Sequence, residues 1–408
     1  MTSRSGAAGL DSLSLAGQAG KAGPFRHNAH IHTPPNFSAF DTVDQVVSLA
    51  SEQGLSLICA SNYYDHRIYD RFAGLCLHAG VFPLFGLEVI LFDADLARRG
   101  IRTNDPGNPG RVYLCGLGTP HIIDPPASAR ATLSTIRAND DRRMHAMIDA
   151  VNAAMADRGV GVALAHDEIV DSLVRRHEVE RDSIVLQERH IVQALQAALF
   201  AAGDDDPAAL IAQAAGGAVE SQTDPVAVQN DLRSALLKAG KPAYVDEEFV
   251  DFATAKQLIL HLGGIPCYPV LGDGAKPVNE FEATPERLIE SLRERGIHTA
   301  QFIPRRNSLE LVERYARALR KAGIVLTVGT EHNTLELIPL QPACEGGVAL
   351  TEELMGWFTE GACIAVAHQV LVARGESGYV DSHGDLVGDP DELARIGASL
   401  VEQVRAAR

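Results

Sequence analysis

The sequence predicts an α/β protein: a closed (β/α)-type barrel carrying a helical insertion. Two observations lead there. First, one unit recurs along the chain, an amphipathic helix, a glycine stop, a short apolar strand and a polar tip, and repetition of that unit builds a parallel sheet with helices outside. Second, residues 136–246 break the repeat and read as helix throughout, with Ala-rich runs interrupted at Asp204-Asp205-Asp206.

The first strand holds the most informative run. After Arg26-His27-Asn28-Ala29 the chain reads His30-Ile31-His32-Thr33 and then breaks at Pro34-Pro35. In an extended segment residues i and i+2 point to one side, so both imidazoles can reach one point. Two imidazoles meeting at a strand end make half of a transition-metal site. With 15 histidines in 408 residues a bare His-x-His is common by chance, so the rest of the chain has to support it.

The next unit starts a helix near Asp41-Thr42, with Val43, Val46, Val47 and Ala50 on one face, stops at Gly54 and continues as strand Leu55–Ala60. Another passes Phe72, Leu75 and Cys76 to Gly80, then Val81–Phe85, ending at Gly86-Leu87-Glu88. After the insertion, Gly263-Gly264 precedes a strand over 265–270. Thr284 caps a helix with Pro285 at its first position and leads to strand 297–303, tipped by Arg305-Arg306-Asn307. Asn307 with Glu310 reads as a capping box for a helix stopped by Gly323, and strand 324–328 ends at Gly329-Thr330-Glu331-His332. That makes at least six strands, and barrel active sites lie at the carboxyl ends of strands.

Residues 93–135, rich in Asp, Pro and Gly, read as an ordered loop. The last fifty residues read as two helices, Glu352–Arg374 and Asp391–Arg408, around a Gly-rich turn. Residues 1–23, rich in Gly, Ala and Ser, read as a flexible tail before a single domain over 24–408.

Composition narrows the function. A formal charge of −17 argues against a nucleic-acid binder, because affinity there comes from neutralising phosphates with Lys and Arg. No apolar stretch is long enough to span a membrane. Six scattered cysteines without a Cys-x-x-Cys pair read as reduced core thiols of a cytoplasmic protein.

Collected in order, the tips carry His30 and His32, Ser61-Asn62-Tyr63, Glu88, Arg305 and Arg306, and Glu331-His332. In that order and spacing the chain resembles the PHP (polymerase and histidinol phosphatase) superfamily of metal-dependent phosphoesterases. Asn28-Ala29-His30-Ile31-His32-Thr33 is similar to its opening Asp-x-His-x-His-Thr, Gly86-Leu87-Glu88 to its Gly-x-Glu, and Gly329-Thr330-Glu331-His332-Asn333 to its Gly-Ser-Asp-x-His. Arg189-His190-Ile191 looks like part of a helix in its small phosphoesterases. The resemblance implies a distorted (β/α)7-type barrel, the PHP fold, with metal ligands His30, His32, Glu88 and Glu331, and His332 beside them. Three motifs depart from the pattern: Ser61-Asn62-Tyr63 replaces Thr-Asp-His, Pro269-Val270-Leu271 replaces Ala-His-Pro, and Tyr113 stands where a further His is expected. What survives completes one metal site, so the expected cofactor is one divalent ion, Mn, Zn or Fe, per chain.

Around that site Asp65 and His66 can serve as general acid and base, or as a helix cap and a solvated His. Tyr63 can orient substrate or pack in the core. Arg305, Arg306 and Asn62 suit a small anionic substrate, although consecutive arginines rarely both face a site and one of them can be a surface ion pair. His166 can be read as a ligand, but the resemblance places it in the inserted helices. The expected function is a metal-dependent hydrolase, phosphoesterase-like, acting on a small anionic or phosphorylated metabolite. The alternatives are a single-metal isomerase, dehydratase or lyase of a sugar or sugar acid, and a metabolite-binding pseudoenzyme.

Overall fold

The computed structural model describes residues 9–10, 12–15, 23–203, 207–219 and 224–407. Seven strands form one sheet in chain order: β1 (His27–Ile31), β2 (Leu57–Ala60), β3 (Phe82–Phe92), β4 (Arg111–Leu117), β5 (Ile265–Val270), β6 (Thr299–Phe302) and β7 (Val325–Val328). The ends of the sheet approach each other beyond β7, where Thr330 and Glu331 donate their N–H groups to the His30 carbonyl at 3.0 Å and His32 donates to the Glu331 carbonyl at 2.7 Å. The barrel is therefore nearly closed at its carboxyl rim. Gly329 makes this approach possible, since a Cβ there would lie 2.4 Å from the His30 Cβ.

The helices follow from the sequence units. Thr42 accepts the Gln45 N–H at 3.2 Å to start the helix Val43–Glu52, which buries Val43, Val46, Val47 and Ala50 against the sheet. Thr284 caps Pro285–Glu294 in the same way. The cap of Leu309–Lys321 is Ser308, whose Oγ accepts the Leu311 N–H at 3.3 Å. Asn307, expected as that cap, instead donates to the Ile303 carbonyl at 3.0 Å and accepts the Asp273 N–H at 2.8 Å, which joins the tips of β5 and β6.

The sheet is not all parallel. β4 runs antiparallel to both β3 and β5, and every other neighbour pair is parallel. The stretch 93–135 expected as a loop therefore contains a strand as well as the short helix Ala94–Arg98. The insertion begins with the long helix Ala127–Asp157 and continues through His166–His177, Glu188–Ala202, Pro207–Ala215 and Pro225–Leu236. These helices enclose an apolar core of their own, built on Met147, Val151, Met155, Leu195, Leu199, Ile211 and Leu232, separate from the barrel core. Part of the expected tail, residues 1–8, 11 and 16–22, lies outside the described residues. Of the rest, Leu10 is buried against the barrel core and Ser14 hydrogen-bonds Gln403.

Candidate metal centre

β1 and β3 bring three side chains together at the carboxyl rim. His32 Nε2 lies 3.0 Å from Glu88 Oε2, His30 Nε2 lies 3.9 Å from the same oxygen, and the two Nε2 atoms are 3.5 Å apart. All three residues are buried. Glu88 is held in place through its own N–H, which donates to the Asn62 carbonyl at 3.2 Å.

Electrostatics prepare this cluster for a cation. Burial pushes the His30 pKa down despite the Glu88 charge beside it, so the imidazole stays neutral. Burial alone would raise the Glu88 pKa, but the hydrogen bond from His32 and the neighbouring imidazoles hold its carboxyl below the usual carboxylate range. A neutral imidazole beside an ionised carboxylate is the protonation a metal requires.

Gln301 on β6 orients His30. Its Oε1 lies 2.7 Å from His30 Nδ1, while its Nε2 donates to the Ala29 carbonyl at 3.0 Å and to Thr327 Oγ1 at 3.1 Å. With both its amide donors committed, Gln301 can only accept from Nδ1–H, which leaves the Nε2 lone pair turned toward Glu88. Tyr63 stacks on His32, ring centroids 4.9 Å apart. Burial and the nearby Glu88 charge push its phenol well above its ordinary pKa, so it keeps its proton and hydrogen-bonds Glu88.

Glu331 reaches the same cavity but is paired with Arg306 and accepts from Asn333 Nδ2 at 2.9 Å. Its backbone is left-handed (φ 64°), as is that of His332 (φ 54°), a conformation that costs non-glycine residues about 1 kcal/mol or more each. His332 does not join the cluster: Nδ1 meets Thr330 Oγ1 at 2.7 Å and Nε2 meets the Ile338 carbonyl at 3.0 Å, so both nitrogens are committed within its own loop.

Asp65 and His66 sit off the cavity. Asp65 is buried in an ion pair with Arg137 of the long insertion helix and accepts the Arg67 N–H at 3.1 Å, so it anchors the insertion. His66 turns inward, edge-on to Tyr69 at 5.2 Å, and burial lowers its pKa to about 3. A base that refuses a proton near neutrality is unsuited to acid/base work. Asn62 Oδ1 accepts the Thr33 N–H at 2.8 Å and the Thr33 hydroxyl at 3.2 Å, fixing the chain just after His32. Arg305 is exposed and bound through both oxygens of Glu336 at 2.7 Å, leaving Arg306 as the cavity's arginine from this pair.

The cavity over the cluster, about 290 Å³, is lined by Tyr63, Glu88, Asn104, Asp105, Tyr113, Arg306 and Glu331. Tyr63, Tyr113 and Asn333 also line a second cavity beneath the insertion, whose wall includes Arg111, Arg143, Arg189 and Arg233. Arg143 and Arg233 pair with Glu188, and Arg111 with Asp105 and Glu247. Arg189 differs: it lies over the Phe37 ring at 5.7 Å and forms no ion pair among the described residues. Burial and the nearby Arg233 charge lower its pKa to about 10, so it remains a cation at neutral pH.

The roles of Gln301 and Arg189 do not follow from the motif spacing. A lone amide inside the apolar strand Ile297–Ile303 was a visible signal for the first. Arg189 lies far along the chain from the other tips, and only the folded insertion brings it to them.

The donor set fits a divalent ion: two imidazole nitrogens and one carboxylate oxygen form a group whose ligand atoms all lie within 4.8 Å of one another, the number and kind of protein ligands found in catalytic zinc sites.

No profile of a known protein family matches the sequence, and no curated protein matches it. Solved structures do share its fold. A protein of Bifidobacterium adolescentis assigned to the metal-dependent phosphoesterases superposes with a TM-score of 0.51 at 16% identity, covering 81% of this chain and 94% of its own. An amidohydrolase from Chromobacterium violaceum, solved with bound sulfate and no metal, gives 0.50 at 18% identity, covering 78% and 93%. The distorted barrel is thus the fold this chain shares with them.

Proposed function

We propose that this chain is a metal-dependent hydrolase acting on a small anionic metabolite, with a phosphate ester as the preferred substrate class. The observation that carries the reading is the buried His30–His32–Glu88 cluster at the carboxyl rim of the barrel. Burying a carboxylate here without a cation is costly, so the cluster has a chemical purpose. The fold shared with a protein assigned to the metal-dependent phosphoesterases agrees with it.

His30, His32 and Glu88 would hold one Mn, Zn or Fe ion, and Glu331 would join them on leaving Arg306. Such an ion supplies Lewis acidity, lowering the pKa of water and offsetting charge on the ester. The chain's own residues do the rest. Arg306 at the rim and Arg189 across the joined cavities supply two guanidiniums for an anion's oxygens. Tyr63 holds its proton on Oη and keeps Glu88 aligned. A cavity of about 290 Å³ suits a metabolite rather than a polymer.

One observation favours a second reading. Only one three-ligand group among the described residues lies at this rim, whereas phosphate ester hydrolysis gains from two or three cations sharing the transferred charge. A single-metal isomerase or lyase of a sugar acid would use the same arginines for its carboxylate.

The test is metal content by plasma mass spectrometry beside phosphate release from a panel of phosphorylated metabolites, for wild type and His32→Ala. Metal-dependent phosphate release, lost in the variant, supports the hydrolase. Turnover of unphosphorylated sugar acids without phosphate release would move the assignment to the second reading. A metal-free protein inert under every loading condition would sink both.

A further inference from the structure

The insertion holds a second group of metal-ligating side chains, remote in sequence from the barrel cluster. Asp141 and His145 stand one turn apart on the helix Ala127–Asp157, and His166 opens the next helix, so the chain brings all three together across the turn at residues 158–165. Residues at i and i+4 share a helix face, which fixes the first two relative to each other.

His166 Nε2 lies 3.6 Å from Asp141 Oδ1, His145 Nε2 lies 3.9 Å from Asp141 Oδ2, and the two imidazoles stack with centroids 3.8 Å apart. No side-chain hydrogen bond of these three residues accounts for the arrangement among the described residues; the nearest other carboxylate, Asp167, is 3.7 Å from His166 Nδ1. Two ligand atoms on one tetrahedral zinc sit about 3.3 Å apart, given bonds of about 2.0–2.1 Å. One ligand atom from each of the three residues lies within 4.8 Å of the others, a spread that a cation closes by drawing the side chains in. The ring planes, 19° apart, must open for both lone pairs to converge. His145, with half of its side chain exposed, has room to do so. Asp141 and His166 also face a cleft beneath Arg137 and Ile184, which leaves a coordination position open to water.

We infer that Asp141, His145 and His166 form a second metal site, selective for a borderline divalent transition ion such as zinc, nickel or copper. Two imidazoles and one carboxylate disfavour magnesium and calcium, which prefer all-oxygen sets. Its effect is mechanical: the ion cross-links the first two helices of the insertion. The first of these also carries Arg143 to the cavity beneath the insertion.

The test uses full-length protein stripped with a chelator and titrated with Zn²⁺ by calorimetry, comparing wild type, His145→Ala and Asp141→Asn. Both positions are exposed, alanine favours helix, and asparagine is as good a helix former as the aspartate it replaces, so both variants fold, as circular dichroism checks. The expected result is one bound equivalent fewer in each variant, with the tetrahedral Co²⁺ visible absorption reduced in parallel. Equal stoichiometry and equal Co²⁺ spectra in wild type and variants overturn the site. The comparison holds whether or not the barrel cluster also binds metal, so the two assignments fail separately.

Discussion

Replacing Gln301 with leucine tests whether the barrel cluster is built for a metal or is merely a buried polar knot. Gln301 touches none of the space between His30, His32 and Glu88; it acts only by accepting from His30 Nδ1 at 2.7 Å while anchored to Ala29 and Thr327. Leucine is close in size, so the main change is the loss of that acceptor and its anchors. Removing such an outer partner of a histidine ligand typically costs 10- to 100-fold in metal affinity, about 1.4–2.7 kcal/mol. The change also takes the amide donor from the Ala29 carbonyl and Thr327 Oγ1 and leaves His30 Nδ1–H only the weak acceptor Cys115 Sγ at 3.7 Å. At about 1–3 kcal/mol for each unsatisfied buried group, unfolding should become easier by about 2–6 kcal/mol. Affinity is read by competition against a chromogenic chelator, and stability by urea unfolding of the metal-free protein. Stability should fall and metal affinity should fall with it. A folded Gln301→Leu that loses stability yet binds metal like wild type would show that His30 is not a ligand oriented by Gln301, and would refute the reasoning.

Three further outcomes are expected. Arg306→Ala removes a charge-assisted contact worth about 1.5–3 kcal/mol, so KM for an anionic substrate rises about 10- to 100-fold with metal content retained; an unchanged KM would remove Arg306 from the anion site. Gly361→Ala places a Cβ 1.9 Å from the Leu326 carbonyl, so the helix Glu352–Ala373 must shift off β7 at a cost of about 1–3 kcal/mol or more, and a wild-type urea midpoint would contradict that packing. Acid should destabilise the fold through buried neutral histidines. The His190 pKa, lowered by burial to about 3, lies below the ordinary 6.5, so on acidification the unfolded chain takes the proton first. Its contribution is complete above pH 6.5 and is lost down to about pH 3, at about 1.4 kcal/mol per pH unit while only the unfolded state is protonated. In His190→Gln the dependence of stability on pH below 6.5 should flatten by one proton, and an unchanged slope counts against it.

The parts of the site visible in the sequence were those written into one short segment. His30 and His32 stand two residues apart at the end of one strand, and Glu88 follows the apolar run 81–85, so local spacing sufficed, although β3 continues past Glu88 to Phe92. Glu331 was visible as a tip residue, but its ion pair with Arg306 was not, because that contact depends on how two separate loops bend over the rim. The left-handed backbone at Glu331 and His332 likewise follows from the turn into Asn333 rather than from any glycine signal. β4 is hidden by its neighbours: the run Asn104-Asp105-Pro106-Gly107-Asn108-Pro109-Gly110 marks a turn so strongly that it masks the alternation of Arg111, Val112, Tyr113 and Leu114. That turn supplies Asn104 and Asp105 to the cavity.

The reversal at β4 also bears on how the insertion reaches the His30–His32–Glu88 cluster. In a regular (β/α) repeat each strand ends at the carboxyl rim, where the catalytic loops sit. β4 runs the other way and ends at the amino end, so the insertion leaves the barrel there; it returns at the opposite end, where Val250 bridges Leu91 and its carbonyl accepts the Phe92 N–H at 2.9 Å, and the helix Phe252–His261 then leads down to the start of β5. To contribute to the site it must climb the outside of the barrel. The helix Ala127–Asp157 does this with 31 residues, about 46 Å of rise at 1.5 Å per residue. Only Cys115–Leu117 of β4 pair with Gly86–Glu88 at or below the rim, while Arg111–Leu114 pair with Val89–Phe92 beyond it, so the helix is longer than the barrel wall it climbs. Arg137 meets Asp65 near the crossing point, and Asp140 and Arg143 line the second cavity just past it. From Met144 onward the buried residues belong to the insertion's own core. A shorter helix would leave that core beside the barrel wall; this length holds it over the His30–His32–Glu88 cluster, with Arg189 on its underside.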